Sequence, residues 1–263
     1  MFQIIKSYFI FLWQSQNQHG IHSPFVFDLV TKCFYDKLVY VAYSDLKNYR
    51  KSLLANKNHI NVTDFGAGSR VFKSNERQIS KIAKSAGISE NRAKLLFRMV
   101  QYFEPISILE MGTSLGLATS ALALGNKKAI VKTLEGCIST MSIAKKTFDV
   151  SSFDLQKAKI EFFHTEFFNY LKTDNQQVTT INLIYFDGNH SCKATLEYFD
   201  LLLPTATNDS VWIFDDIHWS TDMELAWKTI QNHPKVTVTI DTFQWGIVFF
   251  RSEQTKQNFV IRI

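Results

Sequence analysis

Ile106-Ser107-Ile108-Leu109-Glu110-Met111-Gly112-Thr113-Ser114-Leu115-Gly116 is an apolar run that ends in an acid and continues directly into a glycine-spaced turn. The residues that follow, 117–124, are all small or apolar and predict a helix. Strand, glycine turn and helix in this order are the ground plan of a site for a nucleotide-type cofactor. Glycines let the backbone approach a ligand closely, and the start of a helix presents unpaired N–H groups.

A second acid narrows the kind of cofactor. The apolar strand 129–134 ends in Glu135, and an acid at this place can accept hydrogen bonds from both hydroxyls of a ribose. Dinucleotide enzymes use the same device, but Gly112 and Gly116 are four residues apart and no third glycine completes a G-x-G-x-x-G fingerprint. The pattern favours a cofactor with a nucleoside but no phosphate, such as S-adenosylmethionine, with Glu110 near its amino-acid end.

Strands and helices alternate from about residue 106 onward, which predicts a parallel sheet with helices on both faces. Strands are expected near 106–111, 129–135, 159–164, 181–187 and 210–215, and helices near 115–125, 138–149, 166–172, 192–203 and 221–232. The apolar segments 236–240 and 246–250 are separated by too few residues for a crossover helix. These two segments are expected to pair as an antiparallel hairpin.

The first part of the chain has a different pattern and is expected to be mainly helical. Residues 79–103 place apolar side chains at helical spacing, and Gly87 is expected to separate two helices there. Ser23, followed by a proline, marks another helix start, with the serine as N-cap. We therefore expect a helical cap, residues 1–105, and a cofactor-binding domain, residues 106–263.

The composition and the charge distribution restrict which cellular compartment and which binding partners are expected. The chain of 263 residues is 46% apolar, enough for a full core, and no apolar run reaches the ~18 residues of a membrane span. Residues 1–105 carry 15 basic and 7 acidic side chains, whereas 106–263 carry 14 and 17. This distribution either attracts an anionic substrate or only solvates a helical surface. The three cysteines have no metal or disulfide spacing and favour the cytoplasm.

Acidic side chains follow the fourth and fifth predicted strands, where ligands of open α/β sheets bind. Asp187 precedes His190 by three residues, and Asp215 is followed by Asp216. Three converging carboxylates repel one another unless a cation neutralises them, and oxygen ligands favour Mg²⁺. A catechol or vicinal diol would suit such a site, with His190 accepting the hydroxyl proton. The alternative is structural, with Asp216 or His190 capping the helix that follows.

Several side chains allow both a functional and a structural interpretation. The segment from Thr63 to Ser69 is similar to a cofactor loop in composition, but no apolar helix follows, so it is either a loop over the site or a connector. His19 and His22 either contact substrate or pack and form hydrogen bonds. His218, which follows the fifth predicted strand, either lines the substrate pocket or holds the structure together.

These residues together resemble the class I S-adenosylmethionine-dependent methyltransferases, and most closely the catechol-type and macrolide-sugar O-methyltransferases, over about residues 106–250. The resemblance implies a Rossmann-like α/β fold with seven strands in the order 3-2-1-4-5-7-6, the last strand antiparallel. It also implies that the methionine part of the cofactor borders the glycine turn, that Glu135 holds the ribose, and that the segment with Glu166 contacts adenine. The residues expected to bind the cofactor are Glu110, Gly112, Thr113, Ser114, Gly116, Ala118, Thr119, Glu135, Glu166 and Asp187.

The resemblance also indicates which residues would bind a metal ion and which would act as the catalytic base. Metal-dependent members bind Mg²⁺ through an Asp after the fourth strand and a pair after the fifth, and Asp187, Asp215 and Asp216 stand at those positions. Catechol-type enzymes carry a catalytic Lys three residues after the first Asp, where this chain has His190. The macrolide-sugar enzymes resemble this chain here, because they also use a His three residues after the Asp. This difference argues against a catechol acceptor rather than against methyl transfer.

The sequence thus predicts S-adenosylmethionine-dependent methyl transfer to a small hydroxylated molecule, with Mg²⁺ as a further candidate cofactor and a homodimer allowed. An RNA methyltransferase is an alternative that the basic first part supports, but the Asn-Pro-Pro-Tyr-type tetrapeptide and a suitably placed Cys nucleophile are missing. An NAD-dependent oxidoreductase is disfavoured by the glycine spacing. A non-catalytic cofactor-binding protein is the last alternative.

Overall fold

The computed structural model describes residues 2–65, 72–174 and 180–263. Two compact units make up the chain, one formed by residues 1–31 with 168–263 and the other by residues 32–167. The division into a cap and a cofactor domain at residue 105 is not tested by these units and stays a prediction.

The helices of the described residues are α1 (Phe2–Gln14), α2 (Pro24–Leu29), α3 (Ala42–Ala55), α4 (Ile79–Ser85), α5 (Glu90–Phe103), α6 (Leu117–Gly125), α7 (Ile138–Asp149), α8 (Phe153–Gln156), α9 (Phe167–Asp174), α10 (Cys192–Leu202) and α11 (Thr221–Asn232). Short 3₁₀ turns cover Gln18–Gly20 and Leu203–Thr205, and a π-helical turn covers Val30–Phe34. The strands are β1 (His59–Asn61), β2 (Glu76–Gln78), β3 (Ser107–Met111), β4 (Ile130–Glu135), β5 (Lys159–His164), β6 (Leu183–Phe186), β7 (Val211–Asp215), β8 (Val238–Asp241), β9 (Trp245–Phe249) and β10 (Gln257–Val260).

Eight of these strands form one mixed sheet in the order β10-β8-β9-β7-β6-β3-β4-β5. In the unit 32–167, β3, β4 and β5 run parallel. In the other unit, β6 and β7 are parallel, and β9 is antiparallel to both β7 and β8. The predicted α/β fold, the order of its seven strands and the antiparallel last strand are confirmed. The predicted number is wrong by one, because β10 adds an eighth strand parallel to β8.

Burial explains why the central strands read as continuous apolar runs. Every residue of β6, β7, β8 and β9 is buried, as expected for strands covered on both faces. Helix α6 is buried along its length from Leu117 to Leu124, which accounts for its small and apolar residues. By contrast, only Phe259 of β10 is buried, so this short and mostly polar strand carries little hydrophobic signal.

Helix boundaries follow local signals in the sequence. Ser23 accepts a hydrogen bond from the backbone N–H of Val26 as N-cap of α2, which confirms the predicted helix start. Helices α4 and α5 are separate and lie on either side of Gly87, as predicted. None of the helices in the described residues has the length and apolar character needed to cross a bilayer.

Candidate functional site

The turn between β3 and α6 has the backbone that its glycines predict. Three of its residues have positive φ angles: Gly112 at 115°, Ser114 at 47° and Gly116 at 79°. A Cβ atom on Gly116 would collide with the hydroxyl of Tyr49 and the ring of Phe148. Glycine is therefore needed at position 116 both for its backbone angle and for space.

Tyr49, on α3, supports this turn from outside the predicted cofactor domain. Its hydroxyl donates a hydrogen bond of 2.9 Å to the carbonyl of Leu115, and its ring lies 4.9 Å from that of Phe148. Burial raises the pKa of Tyr49 well above its usual range, so the hydroxyl keeps its proton. Sequence reasoning missed this residue, because no local pattern in α3 indicates contact with a turn more than sixty residues away.

Glu110 lies in the core beneath the turn. Its side chain has 0% exposed surface, and its Oε2 atom accepts hydrogen bonds of 2.6 Å from Thr119 and from Thr133. Within the described residues, Oε1 is buried without a hydrogen-bond partner. Burial raises the pKa of Glu110 to about 8, against the opposite effect of the two threonines. The carboxyl group thus connects β3 to β4 and α6 and is mostly protonated at neutral pH.

Glu135 holds the turn from the end of β4. Its Oε2 accepts a hydrogen bond of 2.7 Å from the backbone N–H of Ser114, and its Oε1 accepts one of 2.8 Å from that of Cys137. Burial raises its pKa, while these two hydrogen bonds act in the opposite direction. A carboxylate offers about four lone-pair positions, and these two backbone donors together with the nearby Thr140 hydroxyl do not use all of them. The side chain is only partly buried and can still receive hydroxyl donors.

The remaining predicted cofactor residues of this unit fall into two groups. Thr113, Ala118 and Thr119 are buried, and the hydroxyl of Thr113 lies 2.5 Å from that of Thr133. These residues fix the turn from inside. Glu166 is exposed after β5, whereas His164, at the end of that strand, places its Nε2 atom 3.0 Å from the carbonyl oxygen of Gly136.

Asp187 and His190 follow β6 in the other unit. The Oδ1 atom of Asp187 lies 3.8 Å from Nε2 of His190, and both side chains are partly exposed. The N-cap of the next helix is Ser191, which accepts a hydrogen bond from the backbone N–H of Ala194. The alternative in which His190 caps this helix is therefore wrong.

Asp215 and Asp216 follow β7, and the carboxylate of Asp215 is already engaged. Tyr185 donates to its Oδ2 over 3.0 Å, and the backbone N–H of Asp216 donates to its Oδ1 over 2.8 Å. Asp216 has a φ of 54°, and Ser220 rather than Asp216 caps α11. In residues 2–65, 72–174 and 180–263, no group of three potential metal ligands lies close enough to hold an ion.

His218 is fixed between two carboxylates. Its Nδ1 atom lies 3.0 Å from Oε1 of Glu224, and its Nε2 atom lies 2.9 Å from Oδ2 of Asp241. Burial disfavours the charged ring, but the bonds and attraction of Asp241 and Glu224 outweigh it, and the pKa of His218 is raised. Both ring nitrogens have partners, which supports the structural interpretation of this residue.

A cavity of about 350 Å³ opens at the end of α6 away from the glycine turn. Its lining is polar and comprises Lys32, Asp36, Tyr40, Arg98, Gln101, Tyr102, Glu104, Gly125 and Asn126. Arg98 is held there by the backbone carbonyls of Cys33 and Phe34, to which it donates over 2.8 and 3.1 Å. None of the predicted site residues lines this cavity.

The fold is that of the class I methyltransferases. The chain is similar to an O-methyltransferase from Bacillus cereus solved with S-adenosylhomocysteine (17% identity, TM-score 0.55, covering 83% of this chain and 94% of that one). It is also similar to the O-methyltransferase TomG from Streptomyces achromogenes, solved with S-adenosylmethionine (14%, 0.57, 85% and 95%). A third similar structure is the Podospora anserina methyltransferase PaMTH1 with S-adenosylhomocysteine bound (12%, 0.57, 89% and 98%).

A comparison of the sequence with family models agrees with the structural comparison. Residues 109–217 match the family model described as a methyltransferase domain. The matched range begins within β3 and ends just after Asp215 and Asp216, so it includes the glycine turn, Glu135 and His190. A comparison with curated proteins gave no match. The resemblance to class I methyltransferases is thus confirmed by the fold and by the family model.

Proposed function

We propose that the protein transfers the methyl group of S-adenosylmethionine to a hydroxyl group of a small molecule. The observation that carries this proposal is the arrangement of Glu135, whose carboxylate bridges the glycine turn and the start of α7 and keeps lone pairs for further donors. The methyltransferase family model and the O-methyltransferases of the same fold support it. Cytoplasmic location and a homodimer stay predictions.

The residues around the turn fit the proposed cofactor. Glu135 would accept the two ribose hydroxyls, and the backbone at Gly112 and Ser114 would border the methionine part. Glu110, whose Oε1 is buried without a partner among the described residues, lies beneath that part. Glu166 would lie on the adenine side. When bound, the cofactor supplies a methyl group on a positively charged sulfur, which a nucleophilic oxygen can attack.

His190 is the proposed base, with Asp187 beside it as the group that orients the ring. A neutral imidazole accepts the hydroxyl proton of the acceptor, and Asp187 lies 3.8 Å from the ring that it would orient. Asp187, Asp215 and Asp216 do not fit a preformed Mg²⁺ site, because no three potential ligands among the described residues lie close enough together to hold an ion. No step is therefore assigned to a metal, and we expect turnover to persist in excess chelator. Loss of turnover that Mg²⁺ restores would contradict this.

Ligand-induced stabilisation tests the cofactor. At a concentration 100 times the Kd, a ligand adds about 2.7 kcal/mol to the free energy of unfolding. We expect S-adenosylmethionine and S-adenosylhomocysteine to raise the melting temperature of the wild type and NAD to leave it unchanged. Glu135→Ala should lose this effect, whereas Glu161→Ala, which removes an exposed acid on β5, should retain it. A rise in melting temperature with NAD but not with the other two ligands would contradict the proposal.

The base is tested separately. His190→Ala should lower the rate of methyl transfer about 10²–10⁴-fold, measured as S-adenosylhomocysteine formed over a panel of hydroxylated acceptors. Its affinity for S-adenosylhomocysteine should stay that of the wild type, which separates a base from a residue that merely supports the fold. An unchanged rate would exclude His190.

A further inference from the structure

We propose that Phe65 forms one wall of the nucleoside subsite, with its ring packed against the adenosine half of the cofactor. This inference rests on the proposed function and adds to it a residue from outside the family-matched region. The ring of Phe65 lies against the backbone of Gly136, immediately after Glu135. A Cβ atom built on Gly136 would be 2.7 Å from Cδ2 and 2.9 Å from Cε2 of that ring.

A small antiparallel sheet brings Phe65 to this place. Strands β1 and β2 pair with Ile60 opposite Arg77, and the N–H of Val62 donates to the carbonyl of Asn75 over 2.8 Å. The end of β1 then contacts the start of α7, where Cys137 has its Sγ atom 3.4 Å from the N–H of Thr63. The same sulfur lies 3.9 Å from the carbonyl oxygen of Asn61. Residues 61–63 are thus attached to the residue whose N–H holds Glu135.

A salt bridge fixes the residue next to Phe65. Arg77 lies 3.4 Å from the carboxylate of Asp64, and this arginine side chain is only 11% exposed. Arg77 also donates to the carbonyl of Ser74 and lies 5.0 Å above the ring of Phe72. Asp64 is thus tied to β2 through Arg77, and this contact restrains the backbone that leads into Phe65.

The surroundings of Gly136 define which part of the cofactor the ring would meet. His164 holds the carbonyl of Gly136 over 3.0 Å, and Glu135, the proposed ribose ligand, precedes it. A base attached to a ribose at Glu135 therefore lies within reach of the Phe65 ring. Half of the Phe65 surface is exposed (50%), so a flat aromatic ligand can cover it. Aromatic side chains stack on bases through their faces, and such contacts typically contribute to nucleoside affinity.

Calorimetric titration with S-adenosylhomocysteine tests the inference. We expect Phe65→Ala to raise the Kd about tenfold or more, because removing one stacking ring from a base has an effect of that size. Phe65→Trp retains an aromatic face and should stay within about threefold of the wild type. Phe27→Ala is the matched control, since Phe27 is 42% exposed on α2 and has no place in the site.

A second variant isolates the contact itself. Gly136→Ala should also weaken binding, since its Cβ displaces the Phe65 ring, but it should have little further effect in the Phe65→Ala background. Unfolding of the free variants should match the wild type, because the ring is half exposed. If the wild type binds and Phe65→Ala binds within about twofold of it, the inference is wrong and the proposed function stands. If the wild type itself does not bind S-adenosylhomocysteine, the proposed function is wrong, and so is the inference that rests on it.

Discussion

Glu110 is a buried acid with a structural role beneath the turn of the candidate site. Its carboxyl group has no exposed surface and receives two hydroxyl donors, from Thr119 on α6 and Thr133 on β4. Ionising it there is unfavourable because a charge in the core loses its hydration. A neutral carboxyl group at this position joins three elements around the glycine turn.

We expect the raised pKa of Glu110 to appear in the pH dependence of stability. A carboxyl group with a folded-state pKa of about 8 and an unfolded value of 4.5 stabilises the fold fully below pH 4.5. That contribution is lost as the pH rises through 8, at about 1.4 kcal/mol per pH unit between the two values. Glu110→Gln cannot ionise, so its free energy of unfolding should fall less steeply than that of the wild type from pH 5 to 9.

Urea unfolding at several pH values measures this difference. Glu161→Gln, which changes an exposed acid, is the control and should follow the wild-type profile. Parallel profiles for wild type and Glu110→Gln would show that the carboxyl group is not protonated in the folded protein.

Candidate site residues that lie on one strand and the turn directly after it could be chosen from the sequence alone, and the structure gives these residues the predicted local geometry. Gly112, Gly116 and Glu135 are of this kind, because backbone angle and strand end dictate the residue type locally. Tyr49 and Phe65 could not be predicted, because their contacts join segments far apart in the chain and neither stands in a motif. For Glu110 the position was predictable, but its burial depends on two threonines that only the fold brings near.

At the scale of elements, helix α1 turns polar side chains inward. Ser7 donates to Oε1 of Glu224 over 2.5 Å, and Gln3 donates to Oε2 over 3.1 Å. Glu224 in turn contacts His218, whose ring stacks on Phe243 with centroids 5.1 Å apart. The apolar residues of α1 are mostly on its exposed side, so this polar network is a main attachment of the helix to α11.

We expect replacement of His218 to weaken the attachment of α1 to α11, and we expect the size of this effect to depend on pH. A His whose pKa is raised on folding stabilises the fold fully below its unfolded value of about 6.5, and the effect is lost as the pH rises through the folded value. His218→Gln cannot donate to Glu224 and Asp241 as a cation. It should lower the free energy of unfolding by about 2–3 kcal/mol at pH 6 and by less at pH 9.

Hydrogen exchange of the α1 amides reports the attachment directly and should accelerate in His218→Gln at pH 6. His59→Gln, which changes an exposed residue of β1, serves as the control. A stability difference that is constant with pH would mean that the ring is not charged in the fold.

Strands and helices were predictable from the sequence where their burial requires a regular pattern of apolar residues. Strands β3 to β9 and the helices between them, except the short α8, followed from apolar runs and their spacing, because strands covered on both faces must be apolar throughout. Strand β10 was missed because it lies at the sheet edge with one buried residue. It is held instead by backbone pairing with β8 and by Gln16, whose N–H donates to the carbonyl of Val260 over 2.9 Å.

For the whole molecule, the net charge of +5 raises the question of nucleic acid as a partner. Arginine is the side chain that best matches phosphate geometry, and several arginines of the described residues are engaged within the fold. Arg50 donates to the carbonyl of Ile88, and Arg98 to those of Cys33 and Phe34. Other arginines pair with acids, namely Arg77 with Asp64 and Arg251 with Glu253. Guanidinium groups held in this way are not free to follow a phosphate backbone.

We therefore expect RNA binding to be weak and to depend only mildly on salt. A protein that neutralises Z phosphates shows a slope of about −0.7Z to −0.9Z in a plot of log K against log salt concentration. Engaged arginines predict a slope no steeper than about −2, and a Kd for single-stranded or transfer RNA in the range of non-specific binding, about 10⁻⁴–10⁻⁶ M. Fluorescence anisotropy with labelled RNA between 50 and 200 mM salt measures both quantities. A slope of about −5 or steeper, with tight binding at physiological salt, would instead favour an RNA methyltransferase, because the scattered lysines would then have to form a continuous phosphate-binding surface.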